Sequence, residues 1–365
     1  MPFSFFRDKR VFLTGHTGFK GSWLARALTR AGARLTGYAL APDPDGPSLY
    51  GILGLEGRMT SVIGDVRDFD ALLGSFREAE PEYVIHMAAQ PLVQEGYREP
   101  RGTYETNVMG TVNLLECLRQ WPSWRSFLNV TTDKVYRNNE WAWGYRETDT
   151  LGGRDPYSSS KACSELATAS WRDSFFGDGS HAVSTARAGN VIGGGDFARD
   201  RLVPDLFRAW AAKRPALLRN PDSLRPYQHV LDALSAYLLI LKAQDENPSL
   251  SGAYNVGPEG CLATRRLAAL MAYHWGEGAS SVTEDDPPQG RAAYGREAGA
   301  LMLDGSLIRR LLGRKAVWDI GKAALMTVDW EKARLAGYDM GLETDRQIGL
   351  YEAGFSGDTD SEGTA

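Results

Sequence analysis

Thr14-Gly15-His16-Thr17-Gly18-Phe19-Lys20-Gly21 lies between two segments of different periodicity. Before it, Arg10-Val-Phe-Leu-Thr14 is a short β-rich run. After it, Phe19 to Arg30 reads as a helix with Trp23, Leu24, Ala27 and Leu28 on one face. Gly15, Gly18 and Gly21 allow a tight turn and let the backbone approach a pyrophosphate closely. The start of the helix adds free N–H groups and the positive end of its dipole. A glycine triplet alone also occurs in ordinary loops. The strand before it and the helix after it turn the reading toward a nucleotide site.

The same alternation continues along the first half. Arg34 to Leu40, Tyr83 to Met87, Ser126 to Thr131 and His181 to Ala188 read as buried strands. Thr103 to Arg119 and Asp155 to Phe176 read as helices between them. Strand–helix alternation implies a parallel sheet covered on both faces. The fold class expected is therefore α/β, a Rossmann-type doubly wound parallel sheet with a smaller C-terminal substrate-binding lobe. Residues 1–189 form the sheet domain, with a return segment near 225–245. Residues 190–355 form the lobe, and the polar stretch 356–365 is expected to be a disordered tail.

Length and composition agree with this division. The 365 residues suggest about two domains at roughly 150 residues each. Apolar residues at 43% and charged residues at 24% exclude collagen-like and wholly disordered chains. Forty-one Lys and Arg against 46 Asp and Glu give a net charge of −5, which argues against a nucleic-acid surface. Cys117, Cys163 and Cys261 are far apart and form no zinc or disulfide pattern, so no metal is expected and a reducing compartment fits. No apolar run approaches the ~18 residues of a membrane helix. A cytoplasmic protein that does not enter a membrane is the expectation.

Further residues join the nucleotide end. Asp65, after Val62-Ile63-Gly64, stands where a strand-end carboxylate accepts from an adenine amino group; a surface turn would equally use an Asp. Ala88, Ala89 and Gln90 follow a strand, and the two alanines leave room for a dinucleotide. The second strand ends Gly37-Tyr38-Ala39-Leu40 without the acid that binds a ribose 2′-hydroxyl. Asp43 and Asp45 come late, and no Arg follows to hold a 2′-phosphate. The cofactor chosen is NAD.

Tyr157 and Lys161 are four apart on a helix and face the same way. A neighbouring ammonium favours the phenolate, so Lys161 is expected to lower the Tyr157 pKa and make Tyr157 a base for a hydroxyl proton. Such pairs are mostly structural when isolated; the glycine loop upstream makes this one chemical. Thr131-Thr132-Asp133-Lys134 ends a parallel strand, where ligand crevices open. Thr132 can hydrogen-bond the reacting hydroxyl and Asp133 can act as general acid. Lys134 is either a base or an electrostatic partner.

Together these stretches resemble the extended short-chain dehydrogenase/reductase superfamily and, within it, the CDP-glucose 4,6-dehydratases. The likeness rests on Thr14 to Ser22, Met87-Ala-Ala-Gln-Pro-Leu-Val93, Thr106-Asn-Val-Met-Gly-Thr-Val112 and Thr132-Asp-Lys134. It continues through Trp143 to Glu147, Gly152 to Lys161, Arg187 to Asp196 and Arg225-Pro-Tyr-Gln-His-Val230. The resemblance implies cofactor binding by Gly15, Thr17, Gly18, Phe19, Lys20, Gly21, Asp65, Val66, Ala88, Ala89, Gln90, Asn107, Tyr157 and Lys161. It implies a nucleotide-sugar substrate held by Asn190, Arg225 and His229, and a homodimer or higher homo-oligomer packed through the 103–119 and 155–176 helices.

The implied reaction oxidises C4 of the sugar, removes water across C5 and C6, and reduces C6. A free lysine, with a pKa of about 10.4, serves as the C5 base only when burial or a neighbouring cation lowers that value; otherwise Lys134 steadies the enolate. One departure touches the sugar side. The family usually continues Pro-Leu-Val with Arg-x-Ser-Tyr, and this chain has Gln94-Glu95-Gly96-Tyr97. Another is Arg296 where the family tends to carry His. A nucleotide-sugar 4-epimerase needs the same Tyr, Lys and cofactor without the Asp–Lys pair. A cofactor-binding sensor without turnover is the reading from another class.

Overall fold

The computed structural model describes residues 3–283 and 298–357. Arg296 and the tail from residue 358 onward lie outside the described residues.

Six strands form the sheet in the first half: β1 (Arg10–Thr14), β2 (Arg34–Ala39), β3 (Thr60–Ile63), β4 (Tyr83–His86), β5 (Ser126–Val130) and β6 (Ala182–Ala188). A seventh, Ala253–Val256, arrives late in the chain and pairs with β6. All six pairings are parallel, and the order across the sheet is β3-β2-β1-β4-β5-β6 and then Ala253–Val256. The order reverses between β1 and β4, and a crevice opens there at the strands' carboxyl ends.

Side chains alternate across the pleat. Val11, Leu13, Tyr83, Ile85, Leu128 and Val130 face one core with the helices Phe19–Arg30 and Val230–Glu246. Phe12, Val84, Phe127 and Val183 face the other with the helices Phe69–Ala79 and Gly110–Gln120. Each large apolar side chain buried this way contributes about 1.5–3 kcal/mol, so both faces must be covered. A further core packs Val203, Leu206, Phe207, Trp210, Leu267, Met271 and Val328 together.

Three local features position the site. The Phe19–Arg30 helix starts at Gly18 without a side-chain cap and stops at Gly32, whose φ of +88° suits glycine. Asp155 caps the Pro156–Phe175 helix by accepting from the Ser158 N–H at 2.9 Å. The expected 103–119 helix is interrupted: Pro100–Tyr104 runs into a π-helical turn, Glu105–Met109, before Gly110–Gln120. Such turns often mark functional positions, and this one carries Asn107. Among the described residues, no helix is long and apolar enough to cross a membrane and no cluster of acidic, His or Cys side chains is arranged to hold a metal ion.

Candidate functional site

The glycine loop crosses the sheet at its switch point. Gly15 has φ +78°, and a Cβ there would stand 2.7 Å from the Ala88 nitrogen. A Cβ on Gly21 would stand 2.1 Å from the Gly15 carbonyl oxygen. These two glycines let the loop, β4 and the first helical turn close on one another. Gly18 differs, because its nearest neighbour would be 3.5 Å away. The uncapped N–H groups of Phe19, Lys20 and Gly21 follow it, as an anion site requires. Thr17 Oγ1 donates to the Leu40 carbonyl at 2.9 Å and ties the loop to the end of β2. Thr14 Oγ1 accepts the Met87 and Ala88 N–H groups at 3.1 Å each, fixing the small-residue turn after β4.

Asn107 holds the next piece. Its Oδ1 accepts from the Gln90 N–H at 2.8 Å, and its Nδ2 donates to the Gln90 carbonyl at 3.1 Å and to Ser160 Oγ at 2.9 Å. It thereby clamps the Ala88–Gln90 turn to the helix of Tyr157. Asp65 is paired with Arg67 by two contacts, 2.9 and 2.6 Å, which hold its carboxyl below the usual range. Each carboxylate oxygen can accept a further bond. Val66 is buried against Gly110.

Lys20 does not point to solvent. Its Nζ reaches Tyr237 on the Val230–Glu246 helix, 3.4 Å from the hydroxyl and 5.6 Å from the ring centre. Burial lowers its pKa to about 7, helped by Lys161 and Arg201 and opposed by Asp133.

Thr132, Asp133, Tyr157 and Lys161 come together at the end of β5. Thr132 caps the short turn Asp133–Val135 and donates to Asp133 Oδ1 at 3.1 Å. Asp133 Oδ2 is buried without a partner among the described residues. Burial raises the Asp133 pKa, against the pull of Lys134, Thr132 and Arg225. Lys134 is half-buried beside it.

The expectation for Tyr157 needs correction. Its phenol is pushed up to about 12, because burial outweighs a Thr132 hydrogen bond and the Arg201 charge. Lys161 does face the same way, but its Nζ donates to the Val130 carbonyl at 3.0 Å. Burial lowers the Lys161 pKa to about 8, with Glu165 opposing.

On the substrate side, Asn190 is half-buried, and its carbonyl accepts from the Gln228 N–H. Arg225 is buried; it donates to the Leu224 and Ala298 carbonyls at 2.9 and 2.6 Å while its charge reaches Asp133. His229 sits elsewhere. It is 0% exposed, wedged between the rings of Trp23 and Trp318, and its Nδ1 caps the following helix at the Leu231 N–H. Its place is in the core, because two indoles close over it.

Two residues escaped the sequence reading. Glu165 follows Lys161 by four and binds Thr131, Thr185 and Arg187 at 2.5, 2.7 and 2.9 Å, so the same helical spacing could have found it. Arg201 pairs with Asp196 at 3.1 Å and directs its charge at Tyr157 and Lys20. No spacing in the sequence signals it.

The model of the NAD dependent epimerase/dehydratase family matches residues 11–257. A CDP-glucose 4,6-dehydratase of Salmonella typhimurium is 44% identical over 356 residues, covering 95% of this chain and 97% of the relative. A probable dTDP-glucose 4,6-dehydratase of Sinorhizobium fredii is 27% identical, covering 88% and 92%. Among solved structures, a UDP-glucose 4-epimerase of Thermotoga maritima superposes with TM-score 0.76 at 20% identity, covering 89% of this chain and 99% of that one. A dTDP-glucose 4,6-dehydratase of Streptomyces venezuelae, solved with NAD, gives 0.76 at 22%, covering 90% and 98%. These two share the fold. With the family model spanning β1 to the last strand of the sheet and a relative alike over nearly its whole length, the chain belongs to the NAD dependent epimerase/dehydratase family.

Proposed function

We propose that the protein dehydrates CDP-glucose to CDP-4-keto-6-deoxyglucose with NAD as a recycled cofactor. The 44% identity to a CDP-glucose 4,6-dehydratase over 97% of its length carries this reading. The residues fit a dinucleotide: an open face at Gly18, uncapped N–H groups behind it, and two alanines after β4. Bound NAD would supply the reversible redox chemistry. Gly15 through Gly21 hold its phosphates, Asp65 and Val66 its adenine, and Ala88 to Gln90 line its path, with Asn107 bracing the turn.

In this reading Tyr157 takes the 4-hydroxyl proton, with Lys161 and Thr132 orienting it. Oxidation at C4 makes the C5 proton acidic. Lys134 serves the C5 step, and Asp133 protonates the departing 6-hydroxyl from its unpartnered Oδ2. A Lys134→Arg variant keeps the charge but cannot act as a base at neutral pH, so retained turnover marks an electrostatic role and lost turnover a base. Arg225 and Asn190 border the nucleotide-sugar side. Glu95, in the departing Gln94-Glu95-Gly96 stretch, pairs with Arg98 at 3.4 Å, and Gly96 packs against the Tyr157 backbone.

The chain divides, in this reading, into a cofactor-binding sheet unit and a substrate lobe. It works as a homodimer: exposed Tyr104 and Met109 on the segment leading into the 110–120 helix, and Leu166 and Phe175 on the 156–175 helix, offer an apolar surface. Light scattering tests that state.

Mass spectrometry of products tests the function, with NAD⁺ and, separately, CDP-glucose, dTDP-glucose, UDP-glucose and GDP-mannose. Loss of one water from CDP-glucose alone is expected. An isomer of unchanged mass would show a 4-epimerase, and NAD binding without conversion of any sugar would show a sensor.

A further inference from the structure

The proposed dehydration needs Asp133 and Lys134 aimed at neighbouring carbons of one sugar, and both stand on one short turn, Asp133–Val135. The Asp133 carboxyl takes a hydrogen bond from inside that turn, from Thr132 at 3.1 Å, and its Oδ2 has no partner among the described residues. The aim of the two side chains is therefore set where the chain enters the turn at Thr131 and where it leaves at Tyr136.

Both of those ends are tied to one buried ion pair. Glu165 stands one helical turn after Lys161 on the Pro156–Phe175 helix, and Arg187 lies on β6. Their side chains are 3% and 5% exposed and meet at 2.9 Å. At the entry, the Thr131 hydroxyl donates to Glu165 Oε1 at 2.5 Å. At the exit, Arg187 Nη1 donates to the Tyr136 hydroxyl at 2.9 Å, and the guanidinium lies 5.1 Å from the centre of that ring. The Tyr136 hydroxyl gives its own hydrogen to Asn255 Oδ1 at 2.7 Å, in the last strand of the sheet. Arg187 Nη1 also reaches the Glu147 carbonyl at 2.9 Å, and Glu147 Oε1 accepts from the Asn255 N–H at 2.8 Å.

We propose that Glu165, Arg187 and Tyr136 are positioning residues for the dehydration step, stapling both ends of the turn that carries Asp133 and Lys134, and the proposal rests on the dehydratase reading. The direction of every bond is fixed. A carboxylate only accepts and a guanidinium only donates, so Thr131 gives its hydrogen to Glu165 and Tyr136 accepts from Arg187. Glu165 is saturated by three donors, Thr131, Thr185 and Arg187. A buried ion pair is often no more stabilising than apolar side chains of the same shape. Stability alone therefore does not account for charges at this place, whereas two tethers to the acid–base turn do. Tyr157 and Lys161 reach the site from the helix rather than from the turn, so oxidation at C4 does not depend on these tethers.

The test separates the two steps. Stopped-flow absorbance with NAD⁺ and CDP-glucose follows reduced cofactor as C4 is oxidised and as the hydride returns to C6 after water has left. Tyr136→Phe removes one oxygen at the exit and leaves Glu165 and Arg187 in place. Reduced cofactor should form at the wild-type rate in this variant, and its disappearance should slow by about tenfold to a hundredfold, the scale of a small misplacement of reacting groups. Arg187→Lys keeps the charge, but its single ammonium cannot copy the planar fork that serves Glu165 and Tyr136 together. It should show the same split. Wild-type rates in both steps, or both steps slowed by the same factor in the two variants, would overturn the proposal and leave the three residues as scaffolding. A wild-type protein that dehydrates no sugar would instead sink the dehydratase reading, and circular dichroism of each variant separates these outcomes from misfolding.

Discussion

Lys20→Met isolates one charge that the fold buries after its glycine loop. The amine falls from an ordinary 10.5 to about 7, mainly through burial. At about 1.4 kcal/mol for each tenfold change in proton affinity, holding the charged form inside the fold costs about 5 kcal/mol. The sign follows from linkage. Folding lowers this pKa, so the folded chain binds the proton less tightly than the unfolded one. The penalty is complete below pH 7, shrinks as pH rises, is about 2 kcal/mol near pH 9, and vanishes above the unfolded value. Methionine matches the stem and carries no charge. Urea unfolding should therefore show the variant more stable than the wild type by several kcal/mol near pH 6, with the gap narrowing by about 3 kcal/mol near pH 9. In the proposed function the same change removes a cation from the cofactor site, so NAD binding measured by calorimetry should weaken. A variant less stable near pH 6, or a gap that does not change with pH, would refute the reasoning. Either result would mean that Tyr237 and Asp133 compensate the buried ammonium fully.

Asp133→Asn keeps the shape and the bond from Thr132 but cannot supply a proton; dehydration should fall by about a hundredfold to ten-thousandfold. C4 oxidation should persist in that variant, visible as accumulating reduced-cofactor absorbance. Glu165→Gln breaks a buried pair with Arg187, 2.9 Å apart and both nearly inaccessible, and should lower unfolding stability by about 3–5 kcal/mol. Gly194→Ala would place a Cβ 2.1 Å from the Trp330 ring; a loss of about 1–3 kcal/mol is expected, read as a lower melting temperature.

The frame of the molecule is legible where periodicity and glycine agree. Phe19–Arg30 and Arg10–Thr14 have the bounds their patterns imply, because Gly15 and Gly18 punctuate between them. Ala253–Val256 gave no such signal: four residues between Gly252 and Gly257 carry no pattern of their own, and β6 makes them a strand. The π-helical turn at Glu105–Met109 was equally hidden, since apolar spacing reads as helix whether or not one turn widens. At the site, spacing put Tyr157 and Lys161 on one face. It could not reveal that Val130, from a strand upstream, holds the lysine, nor that burial dominates the phenol. The sequence placed Lys20 among the cofactor-loop residues, and no local pattern pointed to Tyr237, 217 positions away, as its neighbour. Long-range partners decided the electrostatics, and a local pattern does not contain them.

The late arrival of Ala253–Val256 also bears on how such a chain is made and how it can be recombined. When residue 189 leaves the ribosome, β6 is an open edge, and the Val230–Glu246 helix that covers one face of the sheet has not been translated. An unpaired edge beside uncovered apolar side chains invites association with other chains. The sheet thus closes only after Val230–Glu246 and Ala253–Val256 have been synthesised. No single cut after residue 189 leaves the sheet whole, and any segment exchanged between Gly189 and Val256 has to keep the covering helix and the last strand in place.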